Sequence, residues 1–201
     1  MHDVTGSAAG SPVVRHPALA AALGALIGVT WAAALRAYMV VLADTASAFS
    51  WWTIGAVLLP GAIAGGCIGL AHALHARRAR RAWLLGFAPI AFALLAMLEP
   101  GALEALLTAG LGGGAIGVAL ALVLGGFGLG SIGSRAGRVV GLGLALLLTA
   151  GVAATVPLIG GSDLALSTPK GAWATALAAG LLLCGILGTA IAFRPPPPMI
   201  R

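Results

Sequence analysis

Charge is what this chain has least of. Only 8% of its 201 residues are Asp, Glu, Lys or Arg, against about 25% in an ordinary soluble domain. The hydrophobic share is 60% and the mean hydropathy is +1.08. A soluble domain of this size cannot hide so much apolar surface, because small folds keep a large part of their surface in water. A soluble globular enzyme, a disordered chain and a nucleic-acid-binding domain are therefore excluded. A polytopic membrane protein remains.

Groups that carry chemistry are also scarce. There are two cysteines, Cys67 and Cys184. They lie in separate apolar runs, too far apart for a CxxC pair and too few for a zinc site, so they are expected as reduced packing residues. Neither Gly-x-Ser-x-Gly nor HExxH occurs, so no nucleophile elbow and no zincin helix is expected. The glycine runs at 112–117 and 125–130 lack the Lys-Ser/Thr of a phosphate loop. No metal and no cofactor is expected. His72 and His75 sit three apart on one helix, and two histidines fall short of the three or four ligands a metal site needs.

What is present is long apolar runs. A helix needs about 20 apolar residues to cross the hydrocarbon core. Six runs satisfy or approach this, and the expected fold is all-α: a six-helix transmembrane bundle over about 18–43, 52–75, 82–99, 105–129, 138–159 and 172–193. The runs lack the period-2 alternation of barrel strands, and in lipid only helices or closed barrels satisfy the backbone. Residues 1–16, rich in Gly, Ser and Ala, read as a disordered tail, and 195–201 as a Pro-rich tail that stops the last helix. Arg15-His16 and Ala32-Ala33-Ala34 imitate a signal peptide, but the apolar run is too long for a signal core, so the first span is expected to stay.

The net charge of +6 serves orientation. With the N-terminus inside, the inner segments carry Arg15, Arg77, Arg78, Arg80, Arg81, Arg135, Arg138, Arg194 and Arg201, and the outer loops carry only Lys170. This follows the positive-inside rule and puts both termini in the cytoplasm. The cluster Arg77, Arg78, Arg80 and Arg81 is expected to attract anionic lipid headgroups. Trp51, Trp52 and Trp173 fall at the outer interface and Trp83 at the inner one.

Glycine is abundant, at 31 residues. Gly61, Gly65 and Gly69 recur every four residues and form a smooth helix face. Such a face lets backbones approach closely within a bundle or at an interface with a second copy or a partner subunit. Pro60 just before it is a hinge candidate, and Pro60 and Pro89 are each expected to kink their helices. Three spans followed by three permit an inverted repeat, though the halves share no visible similarity.

Arg36 is the ionisable residue clearly inside a span, and such residues are costly and usually functional. It sits within snorkelling reach of the outer headgroups. With Tyr38, Asp44, Trp51, Glu99 and Glu104 it forms a candidate cluster at the outer mouth. The segment Leu35-Arg36-Ala37-Tyr38-Met39, followed by Phe49-Ser50-Trp51 and Thr53, resembles a pattern of uncharacterised bacterial integral membrane proteins. It departs from that pattern where Trp52-Thr53-Ile54 replaces a Gly-Thr. The resemblance covers about the first 60 residues. It implies a bacterial cytoplasmic membrane and a shared outer-face role for Arg36, Tyr38, Met39 and Trp51, but carries no activity.

Three functions fit these residues. One is a non-enzymatic membrane component or complex subunit. A second is a small transporter or channel. The third is a membrane-embedded lipid-modifying enzyme using Asp44, Glu99 or Glu104.

Overall fold

A computed structural model describes residues 16–43, 51, 54–98, 104 and 113–194, and every regular element among them is helical. Six α-helices follow one another: α1 (Pro17–Ala43), α2 (Leu59–Ala76), α3 (Ile90–Ala96), α4 (Gly113–Leu129), α5 (Arg135–Gly160) and α6 (Pro169–Ala190). A π-helical turn, Ile54–Leu58, runs into α2, and 3₁₀ turns cover Ala82–Phe87 and Gly161–Leu164.

Four helical stretches are long and apolar enough to cross a membrane: Pro17–Leu42, Ile54–Ala76, Arg135–Leu164 and Pro169–Ala190. Only 22–28% of each is buried inside the protein. The outward faces carry Ile27, Val139, Leu147 and Leu158 at 65–79% exposure. Contiguous apolar faces of this extent suit a hydrocarbon solvent and not water.

Local chemistry explains the helix ends. Ser134 accepts the Gly137 N–H at 3.1 Å to start α5, and Thr168 accepts the Gly171 N–H at 3.0 Å to start α6, where Pro169 takes the first-turn position. These oxygens satisfy donors that have no partner in the first turn. The far end of α2 closes differently. The Arg78 N–H donates to the His75 carbonyl at 2.9 Å and the Ala79 N–H to the Leu74 carbonyl at 3.0 Å. That is the Schellman pattern, and its left-handed position holds Arg78 at φ 60° where glycine is usual.

The third apolar run departs from expectation. Residues 82–99 do not form one α-helix: the 3₁₀ turn ends at Phe87, Ala88 and Pro89 follow, and α3 begins at Ile90. Pro89 has no N–H to continue a ladder, so the backbone hydrogen bonding is interrupted there although Ala88 and Pro89 keep right-handed helical angles. The second run begins with the π-helical turn, which continues into α2 with Pro60 in its first turn. Proline costs least there because first-turn donors lack partners in any case. Both proline rings are fully buried, so each is held by its packing.

The tails 1–15 and 195–201, Asp44, Trp52, Glu99 and the run 105–112 lie outside the described residues.

The helices pack as a pair and a trio. α1 lies along α2; α4 packs on α5 and α6. One buried cluster joins Leu35 and Tyr38 of α1 to Leu122 of α4, Val156 of α5 and Leu182 of α6. A second joins Ala32, Ala64, Phe92 and Ala119. Trp31 packs against both and meets Phe92 edge-to-face, with ring centroids 5.6 Å apart.

Candidate functional site

The α1–α2 seam is built from missing side chains. A Cβ placed on Gly61 would stand 2.5 Å from the Ala32 Cβ and 2.7 Å from the Gly28 oxygen. A Cβ on Gly65 would stand 2.8 Å from the Gly28 Cα, and one on Gly69 3.2 Å from the Gly24 Cα. The Gly61, Gly65 and Gly69 face is therefore occupied by Ala20, Gly24, Gly28 and Ala32 of the same chain, and not left as a face for a second copy or a partner. The matching stripe on α1 is spaced by four as well, a signal available in the sequence but unremarked there. Backbones this close gain dispersion contact that bulkier side chains would prevent.

Beside this seam lies an apolar crevice of about 420 Å³. Its floor is the glycine face of α1 and α2, its inner wall includes Phe92 and Leu122, and Cys184 and Gly188 of α6 stand on the far side. Two hydrogen bonds tie the elements around it. Trp31 Nε1 donates to the Leu181 carbonyl at 2.8 Å, tying α1 to α6. His75 Nε2 donates to the Ala192 carbonyl at 2.8 Å, tying the end of α2 to the chain just after α6. Leu23 and Ile27 on one lip and Cys184 on the other are exposed, so the crevice opens sideways between α1 and α6. His72, also exposed, lines the end nearest the arginine turn.

That end is locked around Phe193, which is fully buried. Its ring meets Phe87 edge-to-face at 5.7 Å and Phe127 at 6.0 Å. Gly86 and Gly130 make room for it, since a Cβ at Gly86 would stand 2.6 Å from the ring and one at Gly130 2.5 Å from the Phe193 Cβ. The Phe193 carbonyl accepts the Ser131 N–H at 3.0 Å, and Arg138 donates to the Gly130 carbonyl at 2.8 Å. These bonds satisfy carbonyls that helix termini leave open.

The candidate outer cluster is distributed differently from expectation. Tyr38 is not at a mouth: it is 4% exposed and belongs to the core between α1, α4, α5 and α6. A buried ring gains more from apolar contact than it would at a rim. Its hydroxyl has no hydrogen bond in range. Trp51 is the reverse, at 87% exposure, and faces away from the helices. Arg36 is half-buried, Glu104 is exposed, and neither is without a partner. Asp44 and Glu99 lie outside the described residues.

The two histidines separate. His72 is exposed and His75 is 8% exposed and bonded to Ala192. The pair reads in sequence as the start of a basic interfacial turn, but only the fold assigns His75 to a tertiary contact. Arg77, Arg78, Arg80 and Arg81 are all exposed. Among the described residues no three His, Cys, Asp or Glu side chains converge. Cys67 and Cys184 are free thiols.

No protein-family model matches the chain, and neither the curated proteins nor the solved structures contain a significant match.

Proposed function

We propose that this chain is a multi-pass component of the bacterial cytoplasmic membrane, non-enzymatic, with six membrane segments and both termini in the cytoplasm. The observation that carries the non-enzymatic reading is how its buried polar groups are used. Thr149 donates to the Ala145 carbonyl and Thr189 to the Gly185 carbonyl, each at 2.8 Å within its own helix. His75 and Trp31 are engaged by backbone carbonyls across helices. These four side chains are spent on backbone acceptors and hold helices together, and the buried polar atoms without a partner, the Tyr38 hydroxyl, His75 Nδ1, Arg138 Nε and Thr175 Oγ1, include no carboxylate or thiol.

Six segments remain compatible with the broken third run. Six residues of 3₁₀ helix rise roughly 12 Å at about 2.0 Å each. Residues 88–98 add roughly 16 Å at 1.5 Å each if they continue the same direction. The sum is close to the ~30 Å hydrocarbon core. Helix α4 has 17 residues, at the short end of the spanning range. The cytoplasmic side and the kind of membrane rest on the arginine distribution and on the resemblance of the first 60 residues.

Topology mapping tests the reading. Single cysteines placed at Ala79, Ala102, Ser131 and Ser167 in a chain lacking Cys67 and Cys184 are labelled with a membrane-impermeant thiol reagent in intact cells. Protection at Ala79 and Ser131 with labelling at Ala102 and Ser167 supports it. Protection at Ala102 with the other three unchanged leaves four segments and rejects the six-segment topology, as does labelling at Ala79 or Ser131.

A further inference from the structure

We propose that the crevice between α1, α2 and α6 holds an acyl chain of an anionic phospholipid, whose phosphate rests on the exposed guanidinium groups of Arg78, Arg80 and Arg81. The proposal rests on the membrane reading above and adds an occupant and a leaflet.

Length selects a lipid tail. The crevice is lined from Ala20 to Trp31 on α1 and from Gly61 to His72 on α2. Eleven residues at 1.5 Å rise make each of these walls roughly 16 Å long. Half of a ~30 Å hydrocarbon core is about 15 Å. The crevice therefore spans one leaflet, from one interface to near the midplane, and opens sideways where lipid tails lie. Its volume of about 420 Å³ suits one long chain.

Chemistry of the lining agrees. Glycine Cα atoms, Leu23, Ile27, Phe92 and Leu122 offer no hydrogen-bonding group. An unfilled cavity of this kind forfeits dispersion contacts that a methylene chain restores. A Cβ on Gly188 would meet nothing within 4 Å, so the space beside α6 is open.

Charge selects the headgroup. Of the two ends of the crevice, the one at His72 leads within five residues into the Arg77–Arg81 turn, where all four arginines are exposed. Guanidinium groups bind phosphate oxygens in pairs. Arg78, in the left-handed region, stops α2 just past His75, so the arginines follow the crevice end in the chain. A zwitterionic lipid fits the crevice equally but gains less from the turn.

Photocrosslinking of the full chain in nanodiscs tests both halves. The probes are phosphatidylglycerol and phosphatidylcholine, each with a diazirine on one acyl chain, and labelled residues are mapped by mass spectrometry. Phosphatidylglycerol should label α6 around Cys184 and Gly188 at least tenfold above phosphatidylcholine. Gly188→Leu, at a position where an added Cβ meets nothing within 4 Å, should abolish that labelling, whereas Gly151→Leu, at an equally open glycine of α5, should not. The triple change Arg78→Gln, Arg80→Gln, Arg81→Gln should keep crevice labelling but reduce the preference for phosphatidylglycerol about tenfold or more.

Equal labelling around the whole bundle overturns the proposal, as does an unchanged pattern in Gly188→Leu. So does a dimer crosslinked through α6, or crevice labelling that emerges only when residues 2–15 are removed, because a second copy or the chain's own N-terminal segment would then be the occupant. Failure of the membrane reading looks different: the exposed Leu147 and Leu158 of α5 would then also escape labelling.

Discussion

His75 and Ala192, 117 residues apart in the chain, are joined by a 2.8 Å hydrogen bond from Nε2 to the backbone carbonyl. A carbonyl only accepts, so the proton is on Nε2. The bond closes the arginine-rich end of the bundle, with Phe193 packed next to it.

Replacing His75 by Ala leaves the Ala192 carbonyl buried without its partner. A buried polar group so stranded costs about 1–3 kcal/mol. His75→Ala should lower the midpoint of thermal unfolding in mild detergent, and His72→Ala, at an exposed position, should leave it near the native value. Equal midpoints for the two variants would remove His75 from the lock.

Neighbouring glycines should respond in opposite ways. At Gly65 a methyl group would run into the backbone of Gly24 and Gly28, whereas at Gly66 it would meet the Ala21 oxygen at 3.5 Å and the Ala25 Cβ at 3.6 Å, ordinary contact. Gly65→Ala should destabilise by about 1–3 kcal/mol through overpacking. Gly66→Ala should be neutral or stabilising by up to about 1 kcal/mol through helix propensity. Thermal unfolding of both variants side by side reads the difference directly.

Phe193 is the largest side chain buried entirely, and it has two edge-to-face partners. Phe193→Ala should cost about 3–5 kcal/mol. Limited proteolysis should then cut first near residues 191–194, where the chain leaves α6, before the helices themselves separate.

Arg78 occupies a left-handed conformation at φ 60° that costs a non-glycine residue about 1 kcal/mol. Arg78→Gly should keep the helix stop and raise the unfolding midpoint. If the arginine turn binds anionic lipid, the same variant should lose part of its preference for phosphatidylglycerol over phosphatidylcholine. Stability and lipid preference then move in opposite directions, which a simple folding defect does not produce.

Much of the architecture was legible before any coordinates. Low charge and long apolar runs mark helices apolar enough to cross a membrane, because transfer free energy sums along a segment whatever its neighbours are. The limits of α1, α5 and α6 fall within three residues of those expected from the apolar runs, and the caps Ser134 and Thr168 set the starts of α5 and α6 within their own first turns. The smooth face of Gly61, Gly65 and Gly69 was visible too. The break at Pro89 follows from its missing N–H, whereas the close approach of Gly86 to the ring of Phe193 joins residues far apart in the chain and has no local signal.

By itself, then, the sequence determined an all-helical chain with segments apolar enough to span a membrane, and the closeness its glycines permit. Only the tertiary structure decided which partner those glycines meet, that Tyr38 turns into the core while Trp51 faces out, that His75 reaches Ala192, and that a crevice remains beside α6. The reason is physical. Hydropathy and capping are properties of a few consecutive residues, whereas burial direction and empty space are set by where distant helices cross, and in a chain with glycine and alanine on nearly every face many crossings satisfy the local pattern.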